Sequence, residues 1–167
     1  MEEKYLETER LKIAALTPRQ LKLWTEDLEE LERELGCSCR AEPMEGIFKA
    51  IVEGQVKRAF ADSENYLWHS FWLIIRKSDN VVVGSADFKN PPGEKGEVEI
   101  GYGLGKEFEH HGYMTETVAA MCGWALGQEG VKHIIAETLP DNFPSQRILT
   151  RCGFKQYESG KTLWWKL

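Results

Sequence analysis

Gly101 to Glu116 reads GYGLGKEFEHHGYMTE. Before it, Glu97-Val98-Glu99-Ile100 alternates polar and apolar side chains with the two-residue period of a strand. After it, Val118 to Leu126 has the spacing of a helix. A short loop that enters a helix leaves the first backbone N–H groups unpaired and aims them, with the helix dipole, at whatever lies in front. That is an anion site suited to phosphate or pyrophosphate. The stretch therefore predicts a strand, a loop and a helix arranged around a phosphorylated ligand.

Working outward, Leu11, Ile13 and Ala15 alternate with Lys12 and Ala14 as a first strand. Thr17-Pro18-Arg19-Gln20 then supplies a helix cap, a proline at the first helical position and a capping-box Gln. Leu21, Trp24, Leu28, Leu31 and Leu35 follow at helical spacing as far as Gly36, with the acids between them as a solvated face. A second helix is expected from about Glu45 to Ala61. Tyr66 to Arg76 and Val81 to Phe88 are aromatic and β-branched and flank Ser78-Asp79-Asn80, which predicts an antiparallel hairpin. Beyond the strand Glu97 to Leu104 come a helix over Gly112 to Glu129, a strand over His133 to Leu139 and a short helix over Pro144 to Arg151. A final hairpin turns at Ser159-Gly160. This order is a mixed α/β sheet with helices on its faces.

The composition, 42% hydrophobic and 29% charged, fits a soluble globular chain, and 167 residues fit one domain, 1–167. The longest apolar run, Phe71 to Ile75, is far short of a membrane span. The acidic opening MEEKYLETER lacks the basic end and apolar run of a signal peptide. Cys37, Cys39, Cys122 and Cys152 match neither a zinc site nor a disulfide framework. A reduced, cytoplasmic protein is expected. The net charge of −6 argues against nucleic acid as a partner and mildly favours cationic ones.

Two blocks carry a resemblance. VEIGYGLGKEFEHHGYMTET at 98–117 and ETLPDNFPSQRILTRCGF at 137–154 resemble the GNAT superfamily of acetyl-CoA-dependent N-acetyltransferases. ETERLKIAALT at 7–17 resembles the opening of the branch that contains the ribosomal-protein N-terminal alanine acetyltransferases. The resemblance implies a mostly antiparallel sheet with a splayed central strand pair and helices on both faces. It also implies acetyl-CoA as co-substrate and an amine as acceptor. Coenzyme A contacts would come from Tyr102, Gly103 and Leu104 on the strand. Others would come from Glu109, His110, His111, Gly112, Tyr113, Met114 and Thr115 at the loop and first helical turn, and from Asn142 and Ser145. The family's pyrophosphate loop has Gln or Arg, two variable residues, Gly, one variable residue, then Gly or Ala. Here Glu109 to Met114 matches it strictly only at Gly112. A carboxylate at Glu109 repels a diphosphate unless it turns away, and protonated His110 and His111 would offset it. No cysteine or acidic pair stands at ligand spacing beside these histidines, so no metal is expected.

In the family the splayed strand offers backbone N–H groups to the acetyl carbonyl, and Gly101 and Gly103 suit close approach there. An ammonium must lose a proton before it attacks, so a nearby carboxylate is required. Glu99, on the same face as the glycines, is the first candidate and Glu137 on the neighbouring strand the second. The plain reading of each is a strand carboxylate facing solvent or pairing with a lysine. Asn142 would hold the pantetheine arm and Ser145 the departing sulfur. The position where many relatives carry a tyrosine general acid is Leu149. Serine, water or release as thiolate must then serve, a thiol pKa near ~8.5 making that anion a tolerable leaving group.

Trp68, His69, Phe71 and Trp72 concentrate aromatic surface on the hairpin, either as acceptor wall or, by the ordinary use of strand aromatics, as core. Trp164 and Trp165 must face opposite sides of the last strand, which leaves one of them for solvent or for a homodimer partner. The expected activity is N-acetyl transfer to a protein N-terminus or small amine. The alternative is an acyl-CoA-binding regulatory module without catalysis. A nucleotide hydrolase is disfavoured, since no lysine-bearing phosphate loop is present.

Overall fold

The computed structural model describes residues 2–40 and 44–167. Met1, the first residue of the acidic opening, lies outside them. The strands are β1 (Lys4–Glu7), β2 (Leu11–Ala15), β3 (Ser38–Cys39), β4 (Phe71–Arg76), β5 (Val81–Phe88), β6 (Glu97–Leu104), β7 (His133–Thr138), β8 (Lys155–Ser159) and β9 (Leu163–Lys166). They form one sheet in the order β1-β2-β4-β5-β6-β7-β9-β8, with the two-residue β3 paired to β5. All neighbours are antiparallel except β6–β7 and β3–β5. The helices are α1 (Pro18–Glu26), α2 (Leu28–Leu35), α3 (Gly46–Ala61), α4 (Tyr113–Leu126) and α5 (Phe143–Arg151).

Helices cover both sheet faces because strand alternation makes both faces apolar. Leu11, Ile13, Trp72, Ile74, Phe88, Val98 and Ile100 pack with Val118, Met121 and Leu149 of α4 and α5. Leu16, Leu73 and Ile75 pack with Leu21, Leu31 and Val52 of α1, α2 and α3. Full burial of each such side chain stabilises the fold by roughly 1.5–3 kcal/mol. Among the described residues no helix is long and apolar enough to cross a membrane.

Four local readings need correction. Tyr66 to Trp68 is not strand but part of a 3-10 turn, Ser63–Trp68, and β4 begins only at Phe71. Asp62 fixes that turn by taking hydrogen bonds from Asn65 Nδ2 at 2.9 Å and pairing with His69 Nε2 at 3.0 Å. The helix expected to run from the Thr17 cap to Gly36 is broken at Asp27, whose backbone is non-helical (φ −147, ψ 80) and whose carboxylate caps α2 by accepting from Glu30 N–H. β1 and β3, both short and half exposed, were not expected at all. The Thr17–Gln20 capping box forms as expected, its two reciprocal bonds measuring 3.1 and 3.2 Å.

Candidate active site

β6 is held along its length on one side and for three residues on the other. Against β5 it pairs from Ile100↔Phe88 to Leu104↔Gly84. Against β7 it pairs only at Glu97↔His133, Val98↔Ile134 and Glu99↔Ile135. Lys89 N–H donates to Glu99 O at 2.8 Å and Gly105 N–H to Val83 O at 2.9 Å, so odd-numbered backbone groups of β6 turn toward β5. Alternation turns those of Tyr102 and Leu104 into the gap where β7 has diverged.

The loop after β6 is shaped by two left-handed residues, His110 (φ 67) and Gly112 (φ 78). A side chain at such a φ is strained, which is why a glycine there, directly before α4, is useful. Arg10, in the β1–β2 turn, ties the loop down. Its Nη1 donates to His111 O at 2.8 Å and its Nε meets Glu116 Oε1 of α4 at 2.9 Å. Thr8 Oγ1 also donates to Glu116. A guanidinium therefore stands beside the N-terminus of α4, with its centre 4.6 Å from the Tyr113 ring. Glu109 and His110 approach each other at 4.0 Å, the outer limit of an ion pair.

A groove of about 250 Å3 runs between this loop and α5. It brings together Tyr102, Gly103, Leu104, Glu109, His110, Gly112, Tyr113, Met114, Thr115, Asn142 and Ser145; His111 is not among its lining residues. Asn142 caps α5, its Oδ1 accepting from Ser145 N–H at 3.2 Å. The Tyr102 hydroxyl lies 2.8 Å from Ser145 Oγ and links β6 to α5 across the gap. Burial pushes that phenol up to about 12, partly offset by the Ser145 hydrogen bond. Leu149 is wholly buried in the core. Four residues of this groove were not expected from the sequence, Pro144, Ile148 and the two cations Arg147 and Arg151. The arginines carry its added charge. They are exposed, one helical turn apart on α5, and the i,i+4 spacing within QRILTR was their available signal.

A second cavity of about 600 Å3 lies on the opposite face of β6, between β5 and the α1–α3 layer. Trp24, Phe48 and Phe71 form one wall, with ring centroids 5.4–5.8 Å apart. Tyr102, Gly103 and Leu104 line both cavities, so the two meet on one short piece of backbone. Asp87 of β5 also lines the larger cavity and is 7% exposed. Burial pushes its carboxyl up to about 6; Lys89 acts against this shift and Glu99 adds to it. Gly101 pairs with Asp87, and a Cβ there would lie 2.9 Å from Asp87 Oδ1, so the glycine makes room for the acid. Gly103 has open space where a Cβ would be.

Glu99 is mostly buried, faces Lys89 Nζ at 3.3 Å and lines neither cavity. Glu137 is exposed, accepts from Thr162 Oγ1 at 2.6 Å and also lines neither. Of the aromatic group, Phe71 walls the larger cavity, while Trp68 and Trp72 stack with Phe88 and Trp124 in the core under α4. His69 is buried against Asp62. Trp165 is buried with Nε1 donating to Thr138 Oγ1 at 3.0 Å, and Trp164 is half-buried. Among the described residues no three His, Cys, Asp or Glu side chains converge as a metal set.

YjdG of Bacillus subtilis (strain 168), named an uncharacterized N-acetyltransferase, is 29% identical over 150 residues, 89% of this chain and 88% of its own. Two solved structures share the fold. A ribosomal-protein-S5-alanine acetyltransferase from Vibrio fischeri has a TM-score of 0.68 at 16% identity, over 98% of this chain and 96% of its own. RimL, a ribosomal L7/L12 alpha-N-protein acetyltransferase in complex with coenzyme A, has a TM-score of 0.70 at 13% identity, over 98% and 97%. The family described as "Acetyltransferase (GNAT) domain" matches residues 20–155, most of the sequence, and the chain belongs to it.

Proposed function

We propose that the protein moves an acetyl group from acetyl-CoA to a primary amine by direct attack. The observation that carries this reading is the meeting of two cavities on the backbone of Tyr102, Gly103 and Leu104. The smaller groove suits the coenzyme, because a diphosphate there faces the N-terminus of α4 with Arg10 beside it and Arg147 and Arg151 opposite. The amide of Asn142 serves the pantetheine arm. The amine comes from the larger cavity, and backbone N–H groups at the gap stabilise charge that develops on the carbonyl oxygen.

The nitrogen–carbon bond forms, the carbon–sulfur bond breaks, and sulfur leaves with the bonding pair. Tyr102, held by Ser145, stands where it can return a proton to sulfur, a role that Leu149 cannot fill. Protons lost by the amine pass to Asp87, the buried carboxylate of the larger cavity, and then to water. The acceptor is a small amine, for which the cavity of about 600 Å3 speaks, or a protein N-terminus, toward which the likeness of residues 7–17 to the ribosomal-protein branch points.

The test is thiol release from acetyl-CoA against an amine panel. We expect turnover with intersecting double-reciprocal plots, because both cavities fill at once. Tyr102→Phe should lower kcat by about 10- to 100-fold, in the lower range of general-acid effects. Coenzyme binding with no thiol release from any amine would leave only the acyl-CoA-binding module.

A further inference from the structure

The larger cavity has a chemistry of its own. Its apolar walls include Trp24, Phe48, Ile51 and Phe71. A volume of about 600 Å3 is that of a small-molecule site. Within it stands one buried acid, Asp87, 7% exposed. Among the described residues no side chain donates a hydrogen bond to its carboxylate and no buried side-chain oxygen is left unpartnered, so the Asp87 oxygens open into the cavity, where water or a ligand must solvate them. An ammonium that displaces that water replaces its hydrogen bonds with a charge-assisted one.

The charged groups around Asp87 are few. Lys89 from its own strand is paired with Glu99 of β6 at 3.3 Å. The cross-strand partners, Phe71 of β4 and Gly101 of β6, carry no charge, and neither do Trp24 of α1 or Phe48 and Ile51 of α3. Arg40 and Glu107 line the cavity from exposed positions. Glu99 therefore occupies the lysine that would otherwise neutralise Asp87.

Resting on acetyl transfer as proposed above, we propose that the acceptor is a small primary monoamine on an apolar, aromatic or branched body. Its ammonium group pairs with Asp87 and gives that carboxylate one proton. The neutral nitrogen then attacks the thioester carbon, and the sulfur leaves with its electron pair. The second nitrogen proton leaves by way of water, while sulfur takes one from Tyr102, which water recharges. Glu99 is a positioning residue that holds Lys89 away. A polyamine or aminoglycoside needs several acids along its length; among the described residues the lining offers one buried acid, Asp87, and one exposed acid, Glu107, which shares the rim with Arg40.

The test compares kcat/KM for 2-phenylethylamine, tryptamine, spermidine, kanamycin and an alanine-initiated peptide, with thiol release as readout. The expected result is a preference of at least about 100-fold for the two aromatic amines, the size set by one or two apolar groups in a fitted pocket. Equal or faster turnover of spermidine, kanamycin or the peptide overturns the acceptor assignment while leaving acetyl transfer standing. No turnover with any amine, despite acetyl-CoA binding by calorimetry, overturns both.

Two variants separate the carboxylates. Asp87→Asn should lower kcat/KM by about 10²–10⁴-fold, remove the acidic limb of the pH profile near pH about 6 and leave acetyl-CoA affinity intact. Glu99→Gln should keep that limb and move it to lower pH, since Lys89 is then free to face Asp87. An unchanged limb in Asp87→Asn, or its loss in Glu99→Gln, overturns the role given to Asp87.

Discussion

Asp87 costs the fold stability wherever its buried carboxyl is charged. Its carboxyl titrates at about 6 when folded and at the ordinary 3.8 when the cavity is gone. Between those values the native state holds more protons than the unfolded one, so stability falls as pH rises through this window and stays lower above it. About two pK units correspond to about 3 kcal/mol as an upper figure. We expect Asp87→Asn to be more stable than the parent by about 2–3 kcal/mol at pH about 8, and no more stable near pH about 3.5. Denaturant unfolding at the two pH values measures this, and equal stabilities at the higher pH would show that the carboxylate carries no burial cost. Asp87 was not legible in the sequence, where it is the last residue but one of an ordinary strand, Val81–Phe88. Glu99, beside the glycines, looked the better acid. What distinguishes Asp87 is burial by Trp24, Phe48 and Phe71, which come from three separate elements.

Elements were legible where their signals are local. β2, β5 and β6 run over the residues that alternation gives, and α1 starts at its capping box. Tyr66 to Trp68 misled because aromatic residues favour strands, and the contacts that make a 3-10 turn there lie in Asp62 and His69. The residues that line the smaller groove were largely brought together as the sequence suggested, since they come from two contiguous blocks. The groove's anchor was not legible, because Arg10 and Glu116 are far apart in the chain. Glu116 joins the first turn of α4 to Thr8 and Arg10, so it fixes the loop against the β1–β2 turn. Glu116→Ala should cost about 2 kcal/mol, in line with lost hydrogen bonds to a charged group. It should also weaken acetyl-CoA binding about tenfold by freeing the loop (a difference of about 1.4 kcal/mol). Calorimetric affinity unchanged from the parent would show that the loop holds its shape without this tie.

The whole molecule is two sheet portions joined at a three-residue parallel ladder, with Lys166 and Glu97 paired at 2.8 Å beside it. The smaller groove is lined by Tyr102 to Leu104 on one side of the gap and by residues between Asn142 and Arg151 on the other, so a coenzyme bound there as proposed would span it. It should therefore act as a strut. We expect acetyl-CoA at about 100 times its dissociation constant to add about 2.7 kcal/mol of stability. Hydrogen exchange should slow in α5 and β7 more than in α1 to α3. Equal slowing throughout would mean that the ligand stabilises the chain without bridging the gap. The cavities, finally, lie on opposite faces of β6 and share only a few residues of its backbone. Recombining α1–α3 from one relative with α4–α5 from another should thus exchange acceptor preference while the donor stays the same. A lineage with this layout can diversify what it acetylates by varying one side of a single strand, its inherited cofactor chemistry untouched on the other.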